Sequence, residues 1–74
     1  MMGLDWIDLD SEAVAAAAFD AENEFIYVRF TSGSTYLYEA CPPHVWEEFM
    51  APGQSAGKYV DKTLRHKPYK KLDI

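Results

Sequence analysis

The stretch Ser55-Ala56-Gly57-Lys58-Tyr59 sets a hydroxyl, a glycine and an ammonium side by side, the inventory of a small anion site. With Ser55 capping a helix, the free N–H groups of the first turn, the Ser55 hydroxyl and Lys58 would converge on one anion, and phosphate is the ligand helix starts take. The same residues also have a structural use: Ser55 as a cap contributing about 1 kcal/mol, and Gly57 avoiding a clash with a neighbouring helix. A second set lies just beyond, where Lys58, Lys62 and Arg65 fall at i, i+4 and i+7 with Lys67, Lys70 and Lys71 behind them. Six phosphates neutralised on single-stranded RNA would give a log–log salt slope of about −4. Read otherwise, the stripe is a solvated helix face whose cations offset acidic residues elsewhere. A third set is aromatic. Tyr27, Arg29, Tyr36 and Tyr38 could stack unpaired bases, each stack contributing about 1 to 3 kcal/mol, or could cover a core edge with their hydroxyls in water.

Catalytic chemistry finds less to work with. Cys41 lies three residues before His44, but Pro42-Pro43 stiffens the chain between them and no third residue orients the imidazole, so the pair does not read as a nucleophile. Two histidines and one cysteine do not make a zinc site. The carboxylates among the first 24 positions lack a converging spacing and read as a solvated acidic surface. The expectation is a non-catalytic domain with no metal and no cofactor.

Charge divides the chain. Residues 1 to 54 hold ten carboxylates against the single cation Arg29, a net of −9, whereas residues 55 to 74 hold six cations and two carboxylates, a net of +4. An acidic body repels polyanions, yet a basic segment still attracts them within a Debye length of about 8 Å. Two partner classes follow: RNA or a phosphorylated small molecule at the basic end, or a basic protein at the acidic surface. Tyrosine-rich faces also invite self-association, so a monomer or weak dimer is expected. One cysteine in 74 residues builds no internal disulfide, which points to a reducing, cytoplasmic setting. The start, Met1-Met2-Gly3-Leu4-Asp5, lacks the basic and apolar regions of a signal peptide, and Gly3 behind two methionines does not meet the myristoylation pattern. No apolar run approaches a membrane span.

The elements that must position these groups are short. A chain of this length supports a single core. Phe25 to Phe30 and Thr35 to Tyr38 flank Ser32-Gly33 and read as a hairpin. A two-residue turn there pairs Arg29 with Tyr36 and Tyr27 with Tyr38 on one face, leaving Ile26, Val28, Phe30 and Leu37 for the core; a bulged turn shifts this grouping by one residue. The run Ala13 to Phe19 is ambiguous, since alanine favours helix but Asp20 to Asn23 turns directly into a strand. Pro42-Pro43 opens a helix carrying Val45, Trp46, Phe49 and Met50 on one stripe; Pro52-Gly53 stops it. Ser55 then starts a second helix with Tyr59, Val60, Thr63 and Leu64 inward, and Pro68 ends it. Tyr69-Lys70-Lys71-Leu72 is left as a tail docking through Tyr69 and Leu72.

From Ser11 to about Leu72 the order of these features resembles the KTSC domain, a family named for the C-terminal region of some lysyl-tRNA synthetases. The matching residues are Phe19-Asp20, the hairpin Gly33, Tyr36-Leu37-Tyr38, a proline-opened helix with Pro43 and Trp46, Ser55-Ala56-Gly57-Lys58-Tyr59, Leu64-Arg65 and the late Tyr69. The resemblance implies a compact α+β domain of bacteria and their phages, of unestablished function, for which RNA binding has been suggested from the synthetase association. It also decides residues 13 to 19 for strand. Ala16 to Ala18 depart from it by standing where bulkier strand residues are expected, and the acidic first half departs from a nucleic-acid reading.

The resulting expectation is a three-stranded antiparallel β-meander packed by two short C-terminal helices. Residues 1 to 10 form an N-terminal arm or strand extension, and 11 to 72 the domain. The core is Ile26, Val28, Phe30, Leu37, Val45, Trp46, Phe49, Tyr59, Val60 and Leu64. Tyr36, Tyr38, Ser55, Gly57, Lys58, Lys62 and Arg65 form the expected ligand site for RNA or a phosphorylated ligand.

Overall fold

The computed structural model describes residues 4–73. Met1, Met2 and Gly3, on which the targeting and myristoylation readings rest, lie outside the described residues.

The backbone forms one antiparallel sheet in chain order, built from β1 (Ile7–Asp8), β2 (Val14–Asp20), β3 (Phe25–Phe30), β4 (Thr35–Tyr38) and β5 (Tyr69–Leu72). Between β4 and β5 run two seven-residue helices, α1 (Pro43–Phe49) and α2 (Ala56–Lys62), and a 3-10 turn over Leu64–His66. The expected meander is thus the middle of a five-stranded sheet, widened by one strand at each edge. Both additions are short, and neither is rich in β-branched residues. β1 contributes two residues opposite Ala17 and Ala16, while β5 follows Pro68, whose fixed φ holds the chain extended, and pairs Tyr69 with Tyr38 and Leu72 with Thr35.

The hairpin register corrects the expected face assignment. Phe30 N–H donates to the Ser34 carbonyl at 2.8 Å and Gly33 N–H to the Phe30 carbonyl at 2.9 Å, with Gly33 at φ +102°. This is a three-residue connection with a glycine bulge, and it shifts β4 by one position. Val28 therefore faces Tyr36 and Ile26 faces Tyr38, so both tyrosines turn toward the helices. Leu37 goes to the opposite side with Tyr27, Arg29 and Thr35. A second irregularity between Val14 and Ala16 puts Val14 on the helix side with Ala17.

The core lies between the sheet and the helices. Of the expected core residues, Ile26, Val28, Val45, Phe49, Tyr59, Val60 and Leu64 form its centre, joined by Val14, Ala17, Tyr38, Cys41 and Ala56. Phe30 and Trp46 are half-buried at its margin, Trp46 stacking on Phe19 with ring centroids 5.3 Å apart and planes 8° from parallel. Leu37 is buried too, but outside this cluster on the other face of the sheet.

Among the described residues, no helix lies over that other face. Its cover is made from its own long side chains: the Arg29 guanidinium lies 4.4 Å from the Trp6 ring centre, Trp6 meets Tyr27 edge to face at 6.3 Å, and Phe25 meets Tyr27 at 6.5 Å. Arg29 Nε also donates to Thr35 Oγ1 at 3.3 Å. The alanine run explains itself here. Ala16 and Ala18 pair with Arg29 and Tyr27, and both alanines are buried among these larger side chains. Alanine's helix preference is weak, about 0.5 kcal/mol per residue against most alternatives, and pairing β2 on both edges outweighs it.

Candidate functional site

The seven expected site residues fall into separate groups. Among the described residues, no hydrogen bond, ion pair or ring contact joins Tyr36 or Tyr38 to Ser55, Gly57 or Lys58.

The start of α2 is built for packing. Ser55 Oγ accepts from Lys58 N–H at 3.4 Å, and the Ser55 carbonyl accepts from Tyr59 N–H at 2.9 Å, so the cap engages the Lys58 donor of the first turn. A Cβ on Gly57 would meet Ala13 Cβ at 3.3 Å, which shows what glycine permits: α2 closes onto the chain entering β2, not onto a neighbouring helix as expected. Tyr59 completes the motif by donating from its hydroxyl to Glu48 Oε1 at 2.8 Å, with the Val45 carbonyl at 3.3 Å, and so ties α2 to α1. Burial, reinforced by the Glu48 carboxylate, raises the Tyr59 hydroxyl to about 12.

The basic stripe does not run as one helical face. α2 ends at Lys62, Thr63 departs to φ −119°, and Arg65 belongs to the 3-10 turn. Arg65 there bonds Asp61 at 3.1 Å, with both side chains exposed to solvent. Such a pair contributes at most about 1 kcal/mol and leaves guanidinium donors available.

The tyrosines form the more unusual arrangement. Tyr36, Tyr38 and Tyr69 lie together on the helix side of the β4–β5 edge, with ring centroids 6.3 Å apart for the first pair and 5.9 and 5.8 Å to Tyr69. Phe30 packs on Tyr36 at 5.6 Å. Tyr38 is buried, and burial with its two tyrosine neighbours raises its hydroxyl to about 12. Tyr69 is 57% exposed and does not dock as a buried anchor. Register puts Lys71 opposite Tyr36 on this same side, while Lys70 faces the other way and reaches Glu39 at 3.9 Å. Sequence reading used Tyr69 as a tail anchor and missed it as a surface group; the signal was the alternation Tyr-Lys-Lys-Leu after a proline.

A groove of about 620 Å³ opens between the chain entering β2 and the α1–α2 corner. Leu9, Phe49 and Met50 line it together with Asp10, Glu12 and Lys58. Ser55 and Gly57 also border it. Among the described residues no cluster of three or more His, Cys, Asp or Glu side chains could hold a metal ion, and no helix is long and apolar enough to cross a membrane. Cys41 is fully buried, and burial raises its thiol.

Comparison with known proteins agrees with this architecture. The family model described as KTSC domain matches residues 10–69. A protein of Tsukamurella paurometabola is 38% identical over 57 residues, covering 77% of this chain and 84% of the relative. An uncharacterized protein of Stutzerimonas stutzeri is 28% identical over 64 residues, covering 86% and 89%. The crystal structure of a KTSC domain protein from Yersinia pestis superposes with a TM-score of 0.84 at 21% identity, covering 95% of this chain and 99% of that one.

Proposed function

The chain belongs to the KTSC domain family, and from that premise we propose that it is a small binding module that takes single-stranded RNA along its tyrosine-lined basic edge. The observation that carries the reading is Tyr69: a 57% exposed ring steadied from behind by Tyr36 and Tyr38, on the same side of the sheet as Lys71. A held aromatic plane offers stacking that every base can use, and nearby cations supply the phosphate attraction that stacking lacks. Lys62, Arg65 and Lys67 precede β5 and extend the positive charge of the last twenty residues, which sum to +4. Ser55 and Gly57 leave the site, because capping and close approach account for them.

The test is an amide chemical-shift titration of the labelled domain with bulk transfer RNA and with a single-stranded oligonucleotide, at low salt and at about 0.3 M. Shifts should cluster on Tyr36, Tyr38 and residues 62 to 71. Four phosphate contacts predict a log–log salt slope of about −3. Tyr69→Ala should weaken binding by about tenfold or more, as loss of one base stack requires. Binding unaffected by Tyr69→Ala, or no binding at low salt, would overturn the reading.

A further inference from the structure

We infer that the groove between the chain entering β2 and the α1–α2 corner is a docking site for a basic segment of a partner protein that inserts one large apolar side chain. The argument starts from how the groove is held. Ser11 Oγ accepts from Ala13 and Val14 N–H at 3.3 Å each, Leu9 N–H donates to the Ala15 carbonyl at 2.9 Å, and Thr31 Oγ1 donates to the Glu12 carbonyl at 2.9 Å. The opposite wall carries the Ser55 cap and closes onto Ala13 at Gly57. Both walls are therefore fixed before anything binds, which spares the partner the entropy of ordering them.

Inside this frame the chemistry is two-part. Leu9, Phe49 and Met50 supply an apolar lining, and methionine adapts its shape to whatever side chain enters. Asp10 and Glu12 stand exposed at the rim. The ion pairs among the described residues are Arg65 with Asp61 and Lys70 with Glu39, so no described residue forms an ion pair with either rim carboxylate. The rim also belongs to the part of the chain that sums to −9, which attracts cations from a distance and repels acidic competitors. About 620 Å³ is room for one large side chain and its flanking backbone, and falls within the usual range of ligand sites, about 300 to 1,000 Å³. A lysine- or arginine-rich segment with a leucine or methionine between its charges meets both halves of this chemistry.

The experiment titrates the full chain, isotope-labelled, with a synthetic peptide of leucine and lysine about twelve residues long, and with a control carrying glutamate at every lysine position. Shifts should be confined to residues 9 to 13 and 49 to 58, and the glutamate peptide should not bind. Replacing both rim carboxylates, Asp10→Asn with Glu12→Gln, should weaken binding about tenfold. Lys58→Glu should strengthen it several-fold by replacing a cation that lines the groove with a carboxylate. Shifts spread over the whole acidic surface, equal binding of the glutamate peptide, or indifference to both variants would overturn the inference. None of these outcomes bears on Tyr69, so this site and the RNA edge stand or fall separately.

Discussion

The two faces of the sheet are finished by different means. On one, α1 and α2 bring Val45, Phe49, Tyr59 and Val60 down onto Val14, Ile26 and Val28, and the result is a buried core. On the other, no helix of the described residues arrives, and Trp6, Phe25, Tyr27 and Arg29 pack together on the face that holds Ala16, Ala18, Thr35 and Leu37. The first solution draws on elements distant in sequence. The second uses residues in the strands or next to them in sequence, and is helped by the small alanines of β2 among the covered positions. The two seven-residue helices of the described residues are both spent on one face, and alanines in β2 are how this chain manages with one helical layer.

The contrast sets an order of expected effects. Phe49→Ala removes the largest fully buried side chain of the helix-covered face and should cost about 3 to 5 kcal/mol in urea unfolding, enough to leave a domain of this size largely unfolded. Trp6→Ala on the uncovered face should cost less, about 1 to 2 kcal/mol, since the indole is half-exposed and its contact with Arg29 adds only about 0.5 to 1. Equal costs for the two variants would mean that the uncovered face is a second core, and the contrast would fail.

Tyr59→Phe sharpens it further. The variant keeps the ring and loses the hydroxyl that joins the helices, for about 1 to 2 kcal/mol. It should also change the alkaline limb of stability. A tyrosine held near 12 in the folded chain and near 10 in the unfolded one stabilises the fold fully below pH 10, and that contribution is lost as pH rises toward 12. Unfolding followed from pH 9 to 12 should therefore be less steep in Tyr59→Phe than in the parent. Tyr38, Tyr27 and Cys41, each raised by burial, contribute to the remaining slope.

The smallest effect lies where the chain leaves the sheet for the helices. Ala40 holds φ +58°, a left-handed conformation that costs an alanine more than a glycine, so Ala40→Gly should raise stability by about 0.5 to 1 kcal/mol. A measurable loss instead would show that the alanine methyl itself is packed.

Much of the fold is legible in the residues. Pro43 at the first turn of α1, Ser55 capping α2, the Asp20 turn and the stripe of Val45 and Phe49 are all local signals, and each appears where its chemistry puts it. What failed did so for identifiable reasons. A single residue in the Ser32-Gly33 connection decides which face Tyr36 and Tyr38 occupy, and turn length is not written in the strands themselves. β1 and β5 depend on pairing with strands already in place. For the candidate site, the seven residues shared plausible chemistry but not one location. Ser55 is explained by its local cap, and Gly57 by a contact across the fold with Ala13, a partner no local window reveals. Tyr69 and the groove rim at Asp10 and Glu12 become visible only once the sheet edges and the α1–α2 corner are assembled.

The buried Cys41 has a practical consequence. Its sulfur is fully shielded within the core cluster and its Sγ points at the Tyr38 and Glu39 carbonyls, 3.6 and 3.4 Å away. Burial also keeps the thiol protonated at pH values where a free one would begin to ionise. An alkylating reagent can reach it only when the helical layer lifts from the sheet. The rate at which a thiol reagent consumes this single cysteine is therefore a clock for that opening, and it needs no label, since the chain already carries one.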